Sequence, residues 1–240
     1  MKKRTHVLSI ILCLGVLPIA YGTGQAGFYV IPVVRDSAPA TTCANDGYEV
    51  LSDTGRCWMA FNLGATQVAT AIDDEAAYGD LYQWGRPADG HQRRDNPTTT
   101  TTDLSTTDAP GYRDFITVTS GPYYDWRSPR NDFLWQGLSG INNPCPQGFR
   151  LPTDAEWQAE LGEYGTSAAA LFNSPLKLVA AGSRGNAAGI LYNAGSDGNY
   201  WSSTINGGHA GFLDFVSGGS DAYQGFTVRA YGFSVRCIKD

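Results

Sequence analysis

The stretch NYWSSTINGGHAGFLDFVSGGSDAYQGFTVRAYGFSVRCIKD, residues 199–240, decides how the rest of the chain is read. Near its end Phe233, Val235 and Cys237 alternate with Ser234, Arg236 and Ile238, the period of two expected of a strand with one face on a core. That puts a cysteine, a covalent anchor, on the terminal strand. Upstream, Leu213 and Phe215 alternate with Phe212 and Asp214, so that an aromatic ring and a carboxylate share the face turned away from the core. The flanking turns, residues 205–209 and 217–224, are rich in Asn, Gly, Ser, Asp and Tyr. Antibody paratopes use the same mixture for adaptable hydrogen bonds and rigid aromatic contacts. Asn206, His209, Phe212, Asp214, Asp221, Tyr223 and Gln224 are therefore the candidate ligand-binding residues. A merely solvated hairpin is the competing reading.

The chain opens on Lys2, Lys3 and Arg4 followed by an apolar run over residues 7–19, the pattern of a secretory signal peptide over residues 1–22. Cleavage as late as Ala26 is also compatible with the small residues there. The apolar run is too short to span a bilayer comfortably, and no later run is long enough. Cys13 follows the bulky Leu12, where a lipoprotein signal wants a small residue, so release is expected rather than lipid anchoring. Residues 27–240 read as a single domain, secreted or held at the cell surface or in the periplasm. With 29 glycines, 12% aromatic residues and few periodic apolar runs, that domain should be loop-rich, with short strands and an aromatic core. A net charge of −6 argues against nucleic acid or an anionic membrane as partner, since both reward a concentrated basic surface.

Beyond the signal, Cys43, Cys57, Cys145 and Cys237 form an even set in an exported chain, so disulfides are expected. Asp46-Gly47 and Thr54-Gly55 are turn signals between the first two, which suits a local hairpin. Cys43 is therefore paired with Cys57, leaving Cys145 for Cys237. Neither His91 nor His209 neighbours a cysteine, so no zinc set is formed, and no metal or other cofactor is expected.

Residues 27–34 (GFYVIPVV) read as an edge strand, since Pro32 cannot donate to a ladder. Trp58 is assigned to the core, and Tyr82 and Trp84 have the same-face spacing of a strand. Residues 86–113 turn polar and include a Thr-rich run, which predicts an exposed, mobile loop. Tyr123, Tyr124, Trp126, Phe133 and Trp135 suggest short ordered loops packed onto a core. Thr153 followed by Glu156 is a capping box that starts a helix, with Trp157 and Leu161 toward the core and an end near Gly162 or Gly165. A second short helix is expected over residues 167–172, before Pro175, and a strand from Leu176 and Leu178.

INNPCPQGFRLPTDAEW (141–157), LKLVAAGSRG (176–185), LYNAGSDGNYWSST (191–204) and the terminal RAYGFSVRCIKD closely resemble the Fibrobacter succinogenes major paralogous domain (FISUMP) family. AYGDLYQWGRPADGH (77–91), DWRSP (125–129) and LWQG (134–137) extend the resemblance upstream. It implies an α+β, C-type-lectin-like fold of the subtype shared with formylglycine-generating enzymes and with retroelement-diversified variable proteins. In that fold short antiparallel strands and two helices hold long ordered loops, the termini approach each other, and the variable relatives bind through their C-terminal strands and loops. The matching positions here lie within residues 205–230.

Catalysis finds little support in the residues. There is no G-x-S-x-G elbow and no metal-binding His/Glu helix. Asp73, Asp74 and Glu75 are adjacent and do not converge on one bond, while Glu156 is assigned to the cap. The calcium motifs of sugar-binding C-type lectins are absent, as is an EF-hand loop. The expectation is a non-enzymatic binder of an extracellular protein or glycan, with an enzyme or enzyme accessory of the formylglycine-generating group and a structural envelope component as alternatives.

Overall fold

The computed structural model describes residues 43–44, 46–95, 99–121 and 123–240. The expected signal peptide and the strand expected over residues 27–34 lie outside the described residues. Among those described, no helix is long and apolar enough to cross a membrane.

The architecture is mixed, mostly short strands with two helices and two disulfides. Strands β1 (Glu49–Leu51) and β2 (Cys57–Met59) form the hairpin that the turn signals predict, and Cys43–Cys57 closes it. Strand β3 is Tyr82–Gln83; β4 (Thr100–Thr101) pairs in parallel with β5 (Phe115–Ile116). Strand β6 (Phe149–Arg150) leads into helix α1 (Asp154–Tyr164) and helix α2 (Ala168–Asn173). Two short strands, β7 (Ser183–Arg184) and β8 (Leu191–Tyr192), precede the long ones, β9 (Asp197–Asn206), β10 (His209–Val216) and β11 (Tyr223–Val228). The chain closes with β12 (Gly232–Phe233) and β13 (Ile238–Lys239). Strands β11, β10 and β9 make one antiparallel sheet; β1, β2, β13 and β6 make another, which joins the two ends of the described chain.

Helix α1 starts as its sequence dictates. The Thr153 side chain accepts from the Glu156 backbone and Glu156 reaches back to the Thr153 backbone, the reciprocal box that satisfies orphan N–H groups. The helix ends at Gly165, with Trp157 and Leu161 buried. Burial alone would raise the Glu156 carboxyl, but hydrogen bonds from Arg150 and Thr153 hold it down at about 2. Ser167 caps α2 in one direction only, its hydroxyl accepting from the Ala170 backbone at 3.1 Å.

All six tryptophans are fully buried. That bears out the aromatic core, and several of the indoles also hydrogen-bond to backbone carbonyls. Trp84 donates to the Ser202 carbonyl at 2.8 Å, Trp126 to that of Trp84 at 2.7 Å, and Trp201 to that of Tyr82 at 2.7 Å. Three backbone carbonyls are thereby paired inside the core.

Three expectations are corrected. First, the terminal segment is not one strand with a single buried face. Strands β12 and β13 are separated by residues 234–237, and Ser234 and Arg236 are as buried as Val235 and Cys237. The segment threads between two others. Ser234 exchanges backbone hydrogen bonds with Asn199 and Trp201 of β9, while the Val235 and Cys237 carbonyls accept from Leu63 and Met59. Second, Leu176 and Leu178 do not enter a strand. Side chains claim the carbonyls of that run: Arg236 takes Leu176 at 2.5 Å, Tyr200 takes Val179 at 2.8 Å and Arg94 takes Ala181 at 2.5 Å. Third, residues 86–113 are not a uniformly exposed loop. Arg86 is fully buried, donating to Tyr112 and Asp114 carbonyls at 2.7 and 3.0 Å and to Asp89 at 2.9 Å, so it ties the two ends of the excursion together. His91 is buried beside it, and the Thr-rich run is held by β4–β5 pairing.

Candidate functional site

The β10–β11 hairpin carries the candidate residues, and the sheet has its two faces in different surroundings. Leu213 and Phe215 join Trp58, Trp157, Leu161 and Tyr200 in one core cluster, under α1. Phe212 faces the other way, opposite Trp201 on β9 and Gly225 on β11. Antiparallel pairs directly opposite share a face, so Asp214 stands beside Tyr223 on that same side.

That second face is only partly open. Phe212 is half-buried against Phe233 at 5.5 Å and meets Tyr223 edge-on at 6.0 Å. Tyr223 itself is 61% exposed, and its ring lies over Gly225, where a Cβ would overlap it. An aromatic thus covers a bare strand position, a packing that needs glycine there. Asp214 is half-buried, and burial and then the neighbouring Asp197 raise its carboxyl above the usual range. The expectation that Phe212 turns fully outward is corrected, because the terminal segment covers the β9 side of this face.

The remaining candidates divide. Gln224 lies opposite Leu213, on the helix side, and its amide donates to the Asp154 carbonyl at 2.9 Å. It does not share a face with Phe212. Asp221 is exposed in the turn and accepts from Ser220 at 2.8 Å. Asn206 is exposed opposite His209 at the other turn, and His209 meets the Tyr123 ring edge-on at 6.2 Å. Tyr123 comes this close because Gly208 has no side chain; a Cβ there would overlap the ring.

Tyr123 belongs to a cleft that the sequence reading passed over as packed loop. Tyr124 and Asp125 also line it, and Asp125 is buried. One Asp125 oxygen accepts from the Arg127 backbone at 3.1 Å; the other lies 3.5 Å from the Arg229 guanidinium. Burial pushes the Asp125 carboxyl up to about 6, against the pull of Arg229. The clustering of Tyr, Asp and Arg over residues 123–130 was the available signal. Nothing in its periodicity separated a cleft from a packed loop.

Among the described residues, the cluster with metal-ligand spacing is Cys43, Glu49 and Cys57, and its two sulfurs are bonded to each other. Cys145 and Cys237 are likewise joined. No family model, no curated protein and no solved structure matches the chain.

Proposed function

We propose that this chain is an exported, non-enzymatic binding protein of the FISUMP kind, with a C-type-lectin-like scaffold that presents its C-terminal hairpin to an extracellular protein or glycan. The single observation that carries the reading is the Phe212, Asp214 and Tyr223 group. An exposed aromatic rests edge-on against a half-buried one and beside a carboxylate, on a hairpin whose opposite face is locked to α1. Tyrosine is among the side chains enriched where binding energy concentrates in interfaces and paratopes.

The scaffold is compatible with that role. The segment around Cys145 and the terminal segment, two stretches that carry the resemblance, are joined by a disulfide and by β6–β13 pairing. The described N-terminal and C-terminal strands lie side by side through β2 and β13, and Lys239 pairs with Glu49 at 2.9 Å. Both cysteine pairs are consumed as disulfides, which suits an oxidising compartment.

The test is a screen of surface proteins and glycans with the exported protein and its Tyr223→Ala variant. A ligand whose binding weakens by about tenfold or more in the variant supports the reading. A ligand held equally by both places recognition elsewhere.

A further inference from the structure

The cleft lined by Val118, Ser120, Tyr123, Tyr124, Asp125 and Arg130 has a volume of about 380 Å³, at the small end of ligand sites. Leu104, Val118, Tyr123 and Tyr124 give it apolar walls, and Asp125 and Arg130 are among its polar groups.

The charges around it are unevenly satisfied. Arg127 is paired with Asp108 at 2.8 Å. Arg229 takes Asp132 at 2.7 Å, which leaves Arg130 at 3.6 Å from the same carboxylate. Arg130 makes no hydrogen bond among the described residues, and its guanidinium rests over the Tyr123 ring at 4.7 Å. A cation held in place on an aromatic face, with a weakly shared counterion, is suited to a carboxylate from outside. Asp125 has one oxygen committed to the Arg127 backbone and the other only 3.5 Å from Arg229, so it retains capacity to accept one more hydrogen bond. Tyr124, which also lines the cleft, has a φ of 47°, in the left-handed region, and its carbonyl accepts from the Ala230 backbone at 3.2 Å. Such strain concentrates at binding and switch regions.

We propose that this cleft binds an N-acylated amino acid with an apolar side chain, the chemistry found at the C-terminus of a peptide. The ligand's carboxylate pairs with Arg130, its amide N–H donates to Asp125, and its side chain lies against Leu104, Val118 and the tyrosines. This site is separate from the Tyr223 surface, although Tyr123 touches His209 at the hairpin's far end.

The experiment titrates the exported protein with N-acetyl-L-phenylalanine, its C-terminal amide and a short acetylated peptide ending in phenylalanine. The acid should bind at millimolar concentration, and the amide at least about tenfold more weakly. Tighter binding of the peptide than of the acetylated amino acid assigns the site to peptide ends; rejection of the peptide assigns it to free N-acyl amino acids. Arg130→Gln should weaken the acid by about tenfold or more with an unchanged melting temperature. Tyr223→Ala should leave that affinity unchanged, which keeps this site distinguishable from the hairpin surface. Equal binding of acid and amide, full affinity in Arg130→Gln, or no binding of any probe overturns the proposal.

Discussion

The rings of Phe212 and Tyr223 meet at 6.0 Å, yet the half-buried Phe212 packs against the core while Tyr223 lies on the surface. Phe212 also packs against Phe233 at 5.5 Å, whereas Tyr223 is 61% exposed. The two residues are neighbours in space with different energetic duties. Phe212→Ala should therefore lower unfolding stability by about 1–3 kcal/mol, below the full cost of emptying a core Phe site. Tyr223→Ala should stay within about 0.5 kcal/mol of the parent. Urea denaturation of the two variants decides this; equal losses would mean that Tyr223 is structural.

Acid stability should show two opposed contributions. His91 is fully buried and accepts from the Gln83 backbone through Nε2 at 3.0 Å, so Nδ1 carries the proton toward Asp89 at 2.7 Å. Burial pushes its pKa down from 6.5 to about 4. The unfolded chain then binds the extra proton, and this contribution is full above pH 6.5 and lost as pH falls toward about 4. Asp125 behaves in the reverse sense. Its carboxyl is raised from 3.8 to about 6, so its contribution is full below 3.8 and lost as pH rises through about 6. Each is on the order of 3 kcal/mol at most. Asp125→Asn removes the second term alone, so that variant should lose stability more steeply than the parent between pH 6.5 and 4. A shallower slope would refute the assignment.

Arg236 should be among the costliest side chains to remove. Its guanidinium is fully buried and donates to Asn62 Oδ1 at 2.9 Å, to the Met59 carbonyl at 3.3 Å and to the Leu176 carbonyl at 2.5 Å. Burial lowers its pKa to about 10, which still leaves it charged at neutral pH. Arg236→Met strands three buried acceptors, and about 3 kcal/mol or more of stability should go with them. Limited proteolysis should then begin cutting within residues 176–181, which ladder bonds do not protect. If the run remains resistant in the variant, other contacts hold it.

The two disulfides should differ in worth. Cys43–Cys57 spans 14 residues and Cys145–Cys237 spans 92. Chain-entropy reasoning gives about 3 kcal/mol for the shorter loop and about 4–5 kcal/mol for the longer. Paired Cys→Ala variants, compared by thermal unfolding, should rank in that order. The opposite ranking would show that local strain or unfolded-state structure outweighs loop length. Peptide mapping without reductant should recover both bridges from the native protein.

The sequence by itself determined the local features of this protein. The capping box at Thr153 and Glu156, an end to that helix near Gly162 or Gly165, the second helix and the first hairpin with its disulfide all depend on residues close to one another in the chain. Short-range hydrogen bonds and turn preferences settle such features before the chain collapses. The pairing of Cys145 with Cys237 followed from the count once the local pair was set. The alternation in β10 correctly separated Leu213 and Phe215 from Phe212 and Asp214, because the pleat has a period of two.

Tertiary structure alone decided what covers each face. Whether Phe212 meets water or Phe233 depends on a segment further along the chain, and alternation reads the same in both cases. The strand expected at Leu176 failed, and the open loop expected after Arg86 held only for the part beyond its buried start, for a related reason. Buried arginines and a tyrosine hydroxyl supply the hydrogen bonds that a ladder or solvent would otherwise provide. A charged residue in a sequence reads as surface, because desolvating it is costly. Only the folded chain brings the carbonyls together that make burying Arg86 and Arg236 tolerable, and only there do Tyr123, Asp125 and Arg130 come to line one cleft.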